Sequence, residues 1–148
     1  MGELQKIFGG LRPHNTDPVI RIAHRTKVTA PTVLPGEIVL IAHPDLDSVA
    51  AEGLVRAKPA AIINCAPFVT GKYPNQGPKV LLAAGIPIYE SDTNILDSIP
   101  DRSSGRFEAS NLVVGGIGTF ALKSVSEADI NVSLASAREN LDSELDAF

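Results

Sequence analysis

Residues 37–64 read EIVLIAHPDLDSVAAEGLVRAKPAAIIN, and this stretch holds a strand, a helix and a second strand in succession. The apolar runs Ile38–Ala42 and Ala60–Ile63 have the unbroken hydrophobicity that is typical of strands buried on both faces of a sheet. Between them, apolar residues recur at helical spacing until Pro59 interrupts the pattern. This order predicts two parallel strands joined by a right-handed crossover helix.

The same alternation continues on both sides of this stretch. Residues Val19–Lys27 mix apolar and charged side chains, which predicts an edge strand with only one face covered. A short helix predicted over Lys79–Ala84 precedes another apolar run, Ile86–Tyr89. The sequence therefore predicts an α/β fold whose small, largely parallel sheet has flanking helices.

The pattern changes beyond Asn94, where glycine-rich turns separate short apolar runs. These turns lie at Ser103–Gly105 and Gly115–Gly118, and such punctuation is typical of antiparallel hairpins. The sequence predicts a β-hairpin extension made of three strands, Arg106–Ala109, Leu112–Val114 and Thr119–Leu122.

The last segment, Val125–Phe148, contains neither Gly nor Pro and predicts a long C-terminal amphipathic helix. Its length would be about 35 Å, so its distal half should project beyond a small domain. The apolar stripe along this helix predicts a homodimer, because its projecting half must be covered. Antiparallel packing is favoured, since the flank of the helix is acidic. The stripe consists of Ile130, Leu134, Ala137, Leu141, Leu145 and Phe148. It has no stop signal, so we expect the natural chain to continue.

These elements divide the chain into three parts, of which the first is poorest in pattern. Residues 1–18 predict a flexible lead-in, residues 19–124 the α/β module with its hairpin extension, and residues 125–148 the C-terminal helix. The module is long enough for a single hydrophobic core.

Composition excludes several classes of protein. A hydrophobic fraction of 44% against 20% charged residues indicates a folded globular chain. The formal net charge is −4 and the basic residues are scattered, which argues against a nucleic-acid partner. No apolar run approaches the roughly 20 residues of a membrane span, and no secretory signal is apparent, so we expect a cytoplasmic protein.

The segment NCAPFVTGKYPNQGP, residues 64–78, is the first candidate binding site. It follows a predicted buried strand, and ligands in open α/β sheets usually bind at the carboxyl ends of strands. Pro78 suits the first turn of a helix, whose free N–H groups favour an anion or a nucleotide phosphate. The candidate residues are Asn64, Thr70, Gly71, Lys72, Tyr73, Asn75 and Gly77. The alternative, which we favour, is an ordered loop whose side chains satisfy backbone groups.

A second candidate, HPDLD, brings His43, Asp45 and Asp47 to the end of the preceding strand. These groups suit general acid and base chemistry or a hard cation. The favoured interpretation is that Asp45 or Asp47 caps the next helix and that His43 bonds locally. We therefore expect no metal, no cofactor and no catalytic residue, and we expect the two loops to face one cleft. Cys65 is interpreted as a buried thiol rather than a nucleophile, since no base is assigned to it.

Over about Arg21–Phe148, the chain resembles the N-terminal region of the SteA-type family of bacterial cytokinetic-ring proteins. The resemblance lies in PGEIVLIAHPDLDSVAAEGLVRAKPAAIIN (residues 35–64), in TGKYPNQGP and LLAAGIP (residues 70–87), and in the terminal LDSELDAF (residues 141–148). In that family this region precedes a domain similar to thiamin pyrophosphokinase and a membrane-associated segment, neither of which this chain contains. A weaker similarity to the swivelling phosphohistidine domains implies no carrier role, because residues 70–77 contain no His.

The resemblance implies a non-catalytic scaffold or ligand-sensing module that acts in bacterial cell division and envelope growth. It also implies recruitment to the division site by a membrane protein, through the part of the protein that follows this chain. The alternative function is a substrate-binding or regulatory domain of a nucleotide-dependent enzyme similar to thiamin pyrophosphokinase.

Overall fold

The computed structural model describes residues 16–91 and 94–146. The strands are β1 (Ile20–Ala23), β2 (Ile38–Ile41), β3 (Ala61–Asn64), β4 (Ile88–Glu90), β5 (Gly105–Glu108), β6 (Asn111–Val114), β7 (Gly118–Ala121) and β8 (Lys123–Val125). The α-helices are α1 (Thr26–Thr29), α2 (Ser48–Ala57), α3 (Gly77–Ala83) and α4 (Glu127–Asp146), with 3₁₀ turns at Ala30–Thr32 and Ile95–Asp97. The predicted lead-in covers residues 1–18, most of which lie outside the described residues.

The main sheet has five strands in the order β1-β2-β3-β4-β8. The strands β1–β4 are mutually parallel, and β8 runs antiparallel to β4. The two apolar runs that decided the prediction form β2 and β3, which are interior strands and are buried along their whole lengths. The predicted α/β class, with its largely parallel sheet, is confirmed.

The two faces of the sheet are covered differently. On one face, Leu54 of α2, Leu81 of α3 and Ile130 of α4 belong to the same core as Val39 and Ile62 of the sheet. Because strands in sequential order are joined by crossovers of one hand, their helices are expected on a single face.

The opposite face is covered by a three-stranded antiparallel sheet, β5-β6-β7, which is the predicted hairpin extension. Leu112 and Val114 of β6 pack with Ile20, Leu40 and Ile63 in a second core. The molecule is therefore built as a helical layer, a five-stranded sheet and a small sheet. None of the helices in the described part of the chain has the length and apolar character needed to cross a bilayer.

Strand β1 differs from its prediction in two respects. It ends at Ala23 rather than at Lys27, because the polar residues after it form α1. Its residues are buried on both faces, so the expectation of one covered face is wrong. The strand lies at an edge of the main sheet, and residues 101–105 run along it. The N–H of Ile20 donates to Ser103 O, and the N–H of Arg102 donates back to Ile20 O, both at 2.7 Å.

The buried charge of β1 is Arg21, whose exposed fraction is 5%. Its Nη1 donates to Thr32 O at 2.9 Å and lies 3.4 Å from Oε1 of Glu37, while its Nε donates to Oδ1 of Asp101 at 3.3 Å. Glu37 is itself buried, and the same Oε1 accepts the N–H of Leu34 at 2.7 Å. This network ties the segment before β2 to β1 and to the chain that follows the 3₁₀ turn at Ile95–Asp97.

The helix boundaries differ in detail from the predicted ones. The predicted helix Lys79–Ala84 begins two residues earlier, as α3 at Gly77. The predicted helix Val125–Phe148 begins later, because Val125 lies in β8, a strand the sequence did not predict. Its first turn is capped reciprocally: Ser126 N–H donates to the Asp129 carboxylate, and Asp129 N–H donates to Ser126 Oγ. Hydrogen bonds to the Asp129 carboxylate from the backbone and the side chain of Ser126 hold the pKa of Asp129 below its usual range.

Candidate functional site

The carboxyl ends of β2 and β3 are held together by Asn64, whose exposed fraction is 0%. Its Oδ1 accepts the N–H groups of His43 and Ala66, both at 3.0 Å, and its Nδ2 donates to His43 O at 2.9 Å. The amide that the sequence assigned to a ligand is thus engaged with the backbone. Asn64 fixes where His43 lies and does not itself reach solvent in this arrangement.

The two predicted loops meet through Asp45 and Thr70. The carboxylate of Asp45 accepts the Thr70 N–H at 2.8 Å and the Thr70 hydroxyl at 2.5 Å, and the Asp45 N–H donates to Pro67 O at 3.2 Å. Asp45 adopts a positive φ of 53°, a region that Asp tolerates better than most residues. Asp45 therefore links the loops instead of capping α2.

The residue that caps α2 is Asp47, one of the two candidates that the sequence left open. Its carboxylate accepts the N–H of Ala50 at 2.7 Å. The imidazole Nδ1 of His43 lies 3.3 Å from the hydroxyl of Thr26, the buried residue that begins α1. This contact connects the chain after β1 to the chain after β2, so that both strand ends border the same space.

Residues 71–77 do not border that space. Lys72 and Tyr73 are exposed and Asn75 is half-buried, while Gly71 O accepts a hydrogen bond from Nδ2 of Asn140 in α4 at 3.2 Å. The loop thus lies between the start of α3 and the C-terminal helix. Its one cationic side chain is Lys72.

The start of α3 is packed tightly against the HPDLD loop. Gly77 is buried, and a Cβ at this position would lie only 2.0 Å from Leu46 O and 2.8 Å from Asp47 O. Glycine is therefore required for a close approach of two backbones. The helix has only seven residues, and its first residue faces protein oxygen atoms where the sequence predicted room for an anion.

A cavity of about 950 Å³ lies between α2 and the segment 24–33, with His43 in its lining. Its polar and charged lining consists of His24, Arg25, Thr26, Lys27, His43, Asp47 and Arg56. Its apolar lining consists of Ala30, Pro31, Val33, Ala42, Val49, Ala50, Gly53 and Ala57. We call this space the β1–β2 cleft. It begins at the carboxyl ends of β1 and β2, and its volume is within the range typical of small-molecule sites.

The charge of the β1–β2 cleft is opposite in sign to that of the chain, whose formal net charge is −4. Arg25, Lys27 and Arg56 are exposed at the cleft, and none of them takes part in an ion pair with any described residue. The cleft holds one carboxylate, Asp47, and that group already accepts the backbone of α2. An excess of unpaired cations over an apolar floor suits an organic anion.

The described residues provide no metal site. Within them, no group of three or more His, Cys, Asp or Glu side chains is close enough to hold an ion. Cys65 packs on the small-sheet side of the main sheet, whereas the cleft lies on the helical side. Burial raises the pKa of the Cys65 thiol above its ordinary value, although hydrogen bonds from the backbone of Ile95 and Leu96 oppose that shift. A raised pKa favours the unreactive thiol form.

Of the predicted site residues, His43 and Asp47 line the cleft, whereas the rest do not. The sequence did not indicate His24, Arg25, Lys27 or Arg56 as site residues. The first three fall within the predicted strand Val19–Lys27. The signal that could have found them is HRTK, residues 24–27, where four polar residues follow an apolar run. Such a change marks the carboxyl end of a strand, where ligands bind.

Comparisons of this chain with known protein families, with curated proteins and with solved structures found no match. The β1–β2 cleft is therefore interpreted from its own geometry, and the loops around Asp45 and Thr70 from their internal bonds.

Proposed function

We propose that this chain is a non-catalytic, ligand-sensing module that binds a small organic anion in the β1–β2 cleft. The observation that carries the proposal is an excess of positive charge over an apolar floor. Arg25, Lys27 and Arg56 line the cleft, and none of them has a carboxylate partner among the described residues. The SteA-type resemblance supplies the biological setting of the proposal. In that setting the module acts in bacterial cell division and is recruited to the division site by a membrane protein.

Charge-assisted hydrogen bonds support the choice of an anion. Such bonds to charged groups contribute about 1.5–3 kcal/mol each, roughly twice as much as neutral ones. A guanidinium group such as that of Arg25 binds oxyanions in a bidentate manner that a lysine does not match. A cleft with these donors binds a ligand without any chemical step, which is what a sensing module requires.

The proposal is tested by titrating the chain with inorganic phosphate and with ATP while the backbone amide shifts are followed by NMR. We expect shifts at residues 24–27 and at Ala42–His43. Arg25→Ala should weaken binding about tenfold or more, since the loss of one charge-assisted bond exceeds about 1.4 kcal/mol. Arg138→Ala, which removes another exposed arginine outside the cleft, should leave the affinity unchanged.

Two results would contradict this assignment in different ways. Shifts confined to Lys72 and Asn75 would return the ligand to the site predicted from sequence. Binding of nucleotides and thiamin, with turnover by a longer natural protein that includes this chain, would favour the alternative of a substrate-binding domain in a pyrophosphokinase-like enzyme.

We further propose that the chain forms a homodimer through the distal half of α4. Ile130, Leu134 and Ala137 are buried against the module, whereas Leu145 is 62% exposed. The stripe continues to Phe148, which lies outside the described residues. A second copy would cover the part of the stripe that the module leaves open, because residues at spacings of three and four form a seam for helix pairing.

Light scattering at high micromolar concentration tests the dimer. We expect twice the monomer mass, and Leu145→Asp should restore the monomer, because a carboxylate in an apolar seam is left unpaired. Val132→Asp is the matched control, since Val132 is an exposed apolar residue of α4 outside the stripe. A wild-type chain that remains monomeric would contradict the proposal.

A further inference from the structure

The walls of the β1–β2 cleft show which part of a ligand would lie where. Helix α2 presents Ala50, Gly53 and Ala57 to the cleft, at spacings that place them on one face of the helix. From the first of these residues to the last, the face extends about 10 Å at 1.5 Å per residue. The opposite wall adds the buried side chains of Ala30 and Val33. The cleft is thus an elongated groove between walls of small aliphatic residues.

The cations lie on both walls of this groove. Arg25 and Lys27 belong to the wall that follows β1, and Arg56 belongs to α2. The guanidinium of Arg56 turns back along its own helix, since its Nη2 is 3.7 Å from where a Cβ of Gly53 would stand. The absence of a side chain at Gly53 therefore leaves room for a cation over the groove. Arg25 and Lys27 lie two residues apart where the chain leaves β1, and neither has a carboxylate partner among the described residues. Two such cations suit a group that carries two negative charges better than a carboxylate.

The lining also discriminates between ligand bodies. No Phe, Tyr or Trp is among the described residues that line the cleft. Proteins usually recognise bases and other aromatic rings by stacking them on aromatic side chains. Small aliphatic walls instead provide apolar contact along the length of a narrow, flexible chain.

We infer that the ligand of the cleft is a phosphate monoester of an aliphatic alcohol. Its phosphate lies at Arg25 and Lys27, where the groove begins after β1, and its alkyl body lies against Ala30, Ala50 and Ala57. The inference rests on the proposed function, because it names the class of anion that the same cleft binds. The alcohol is either a free metabolite or a lipid; both present the same phosphate ester to the cleft.

Calorimetric titration with a series of anions tests the inference. Burial of each methylene group strengthens binding by up to about fourfold. Hexyl phosphate should therefore bind roughly tenfold tighter than butyl phosphate, and both should bind tighter than inorganic phosphate. Hexanoate should bind more weakly than hexyl phosphate, and AMP should gain nothing over inorganic phosphate. Dodecyl phosphate below its micellar concentration separates the two sources: a further gain indicates a lipid, and a plateau a shorter metabolite.

A variant locates the alkyl body. Ala50→Leu adds three carbon atoms to the wall of the groove, and we expect the ratio of hexyl phosphate to inorganic phosphate affinity to fall from more than tenfold toward about one. Glu52→Leu adds an apolar side chain to the same helix outside the cleft and should leave this ratio at its wild-type value. The wild-type ligand series decides the question even if the Ala50 variant does not fold.

The outcomes separate this inference from the proposed function. Binding of inorganic phosphate that depends on Arg25 but gains nothing from an alkyl chain would overturn the inference and leave the proposed function standing. Equal affinities for hexanoate and hexyl phosphate, or tighter binding of AMP than of hexyl phosphate, would also overturn the inference alone. If no anion binds at the cleft, both the inference and the proposed function are wrong.

Discussion

Replacement of Arg21 by alanine is expected to lower the free energy of unfolding by about 3–5 kcal/mol, the range measured when one partner of a buried ion pair is removed. The reason is that Glu37 is also buried, and among the described residues its carboxylate would keep one hydrogen-bond partner, the N–H of Leu34. Thr32 O would lose its bond from Arg21, and the Asp101 carboxylate would keep only its bond from the N–H of Ile22 among these hydrogen bonds. Urea unfolding followed by circular dichroism measures the change.

The matched control is Arg106→Ala. Arg106 also forms two ion pairs, with Asp17 and Glu108, but its side chain is 41% exposed. Exposed pairs are screened by water and salt, so this change should move the urea midpoint only slightly. Equal losses from the two variants would show that burial does not set the strength of the Arg21 network.

Gly77→Ala is expected to destabilise the protein by about 3 kcal/mol, at the upper end of the cost of overpacking. The added Cβ would meet the backbone of Leu46 at 2.0 Å, and backbone atoms cannot turn aside as the end of a side chain can. Either α3 or the HPDLD loop must then move, which would also strain the bonds between Asp45 and Thr70. The urea midpoint and the amide shifts of these loops report both effects.

Gly53→Ala provides a control of opposite sign. Gly53 lies inside α2, and a Cβ there would meet only Nη2 of Arg56 at an ordinary contact distance of 3.7 Å. Alanine in a helix interior is more stable than glycine by roughly 0.5–1 kcal/mol. A loss of stability in both variants would mean that the two glycines are not distinguished by the space around them.

Local pattern accounts for the parts of the fold that were predicted correctly. The apolar runs Ile38–Ala42 and Ala60–Ile63 contain no polar residue and account for most of β2 and β3. Burial on both faces therefore follows from their composition. Strand β8 could not be found in this way, because Lys123 and Ser124 are exposed and only Val125 is buried. What makes it a strand is its pairing with β4, a long-range contact that leaves no periodicity in three residues.

The candidate site was predicted less completely than the fold. Strand order places the two predicted loops side by side, and Asp45 and Thr70 are indeed bonded there. The β1–β2 cleft, however, depends on how α1 and the following turn pack against α2, which local pattern does not encode. The glycine before Pro78 illustrates the limit, since the same residues suit an anion-binding helix start and a tight backbone contact. Only the position of Leu46 distinguishes them.

The edge contact of β1 has a consequence for synthesis of the chain. Strands β1, β2 and β3 each pair with the next strand to be made, so this part of the sheet can assemble in order as the polypeptide leaves the ribosome. The outer edge of β1 cannot be covered until Asp101 has been made, 80 residues after its partner Arg21. At elongation rates of about 5–20 residues per second, the interval is on the order of 4–16 s. During that interval β1 presents open backbone groups to other nascent chains, and an unpaired edge is a template for aggregation.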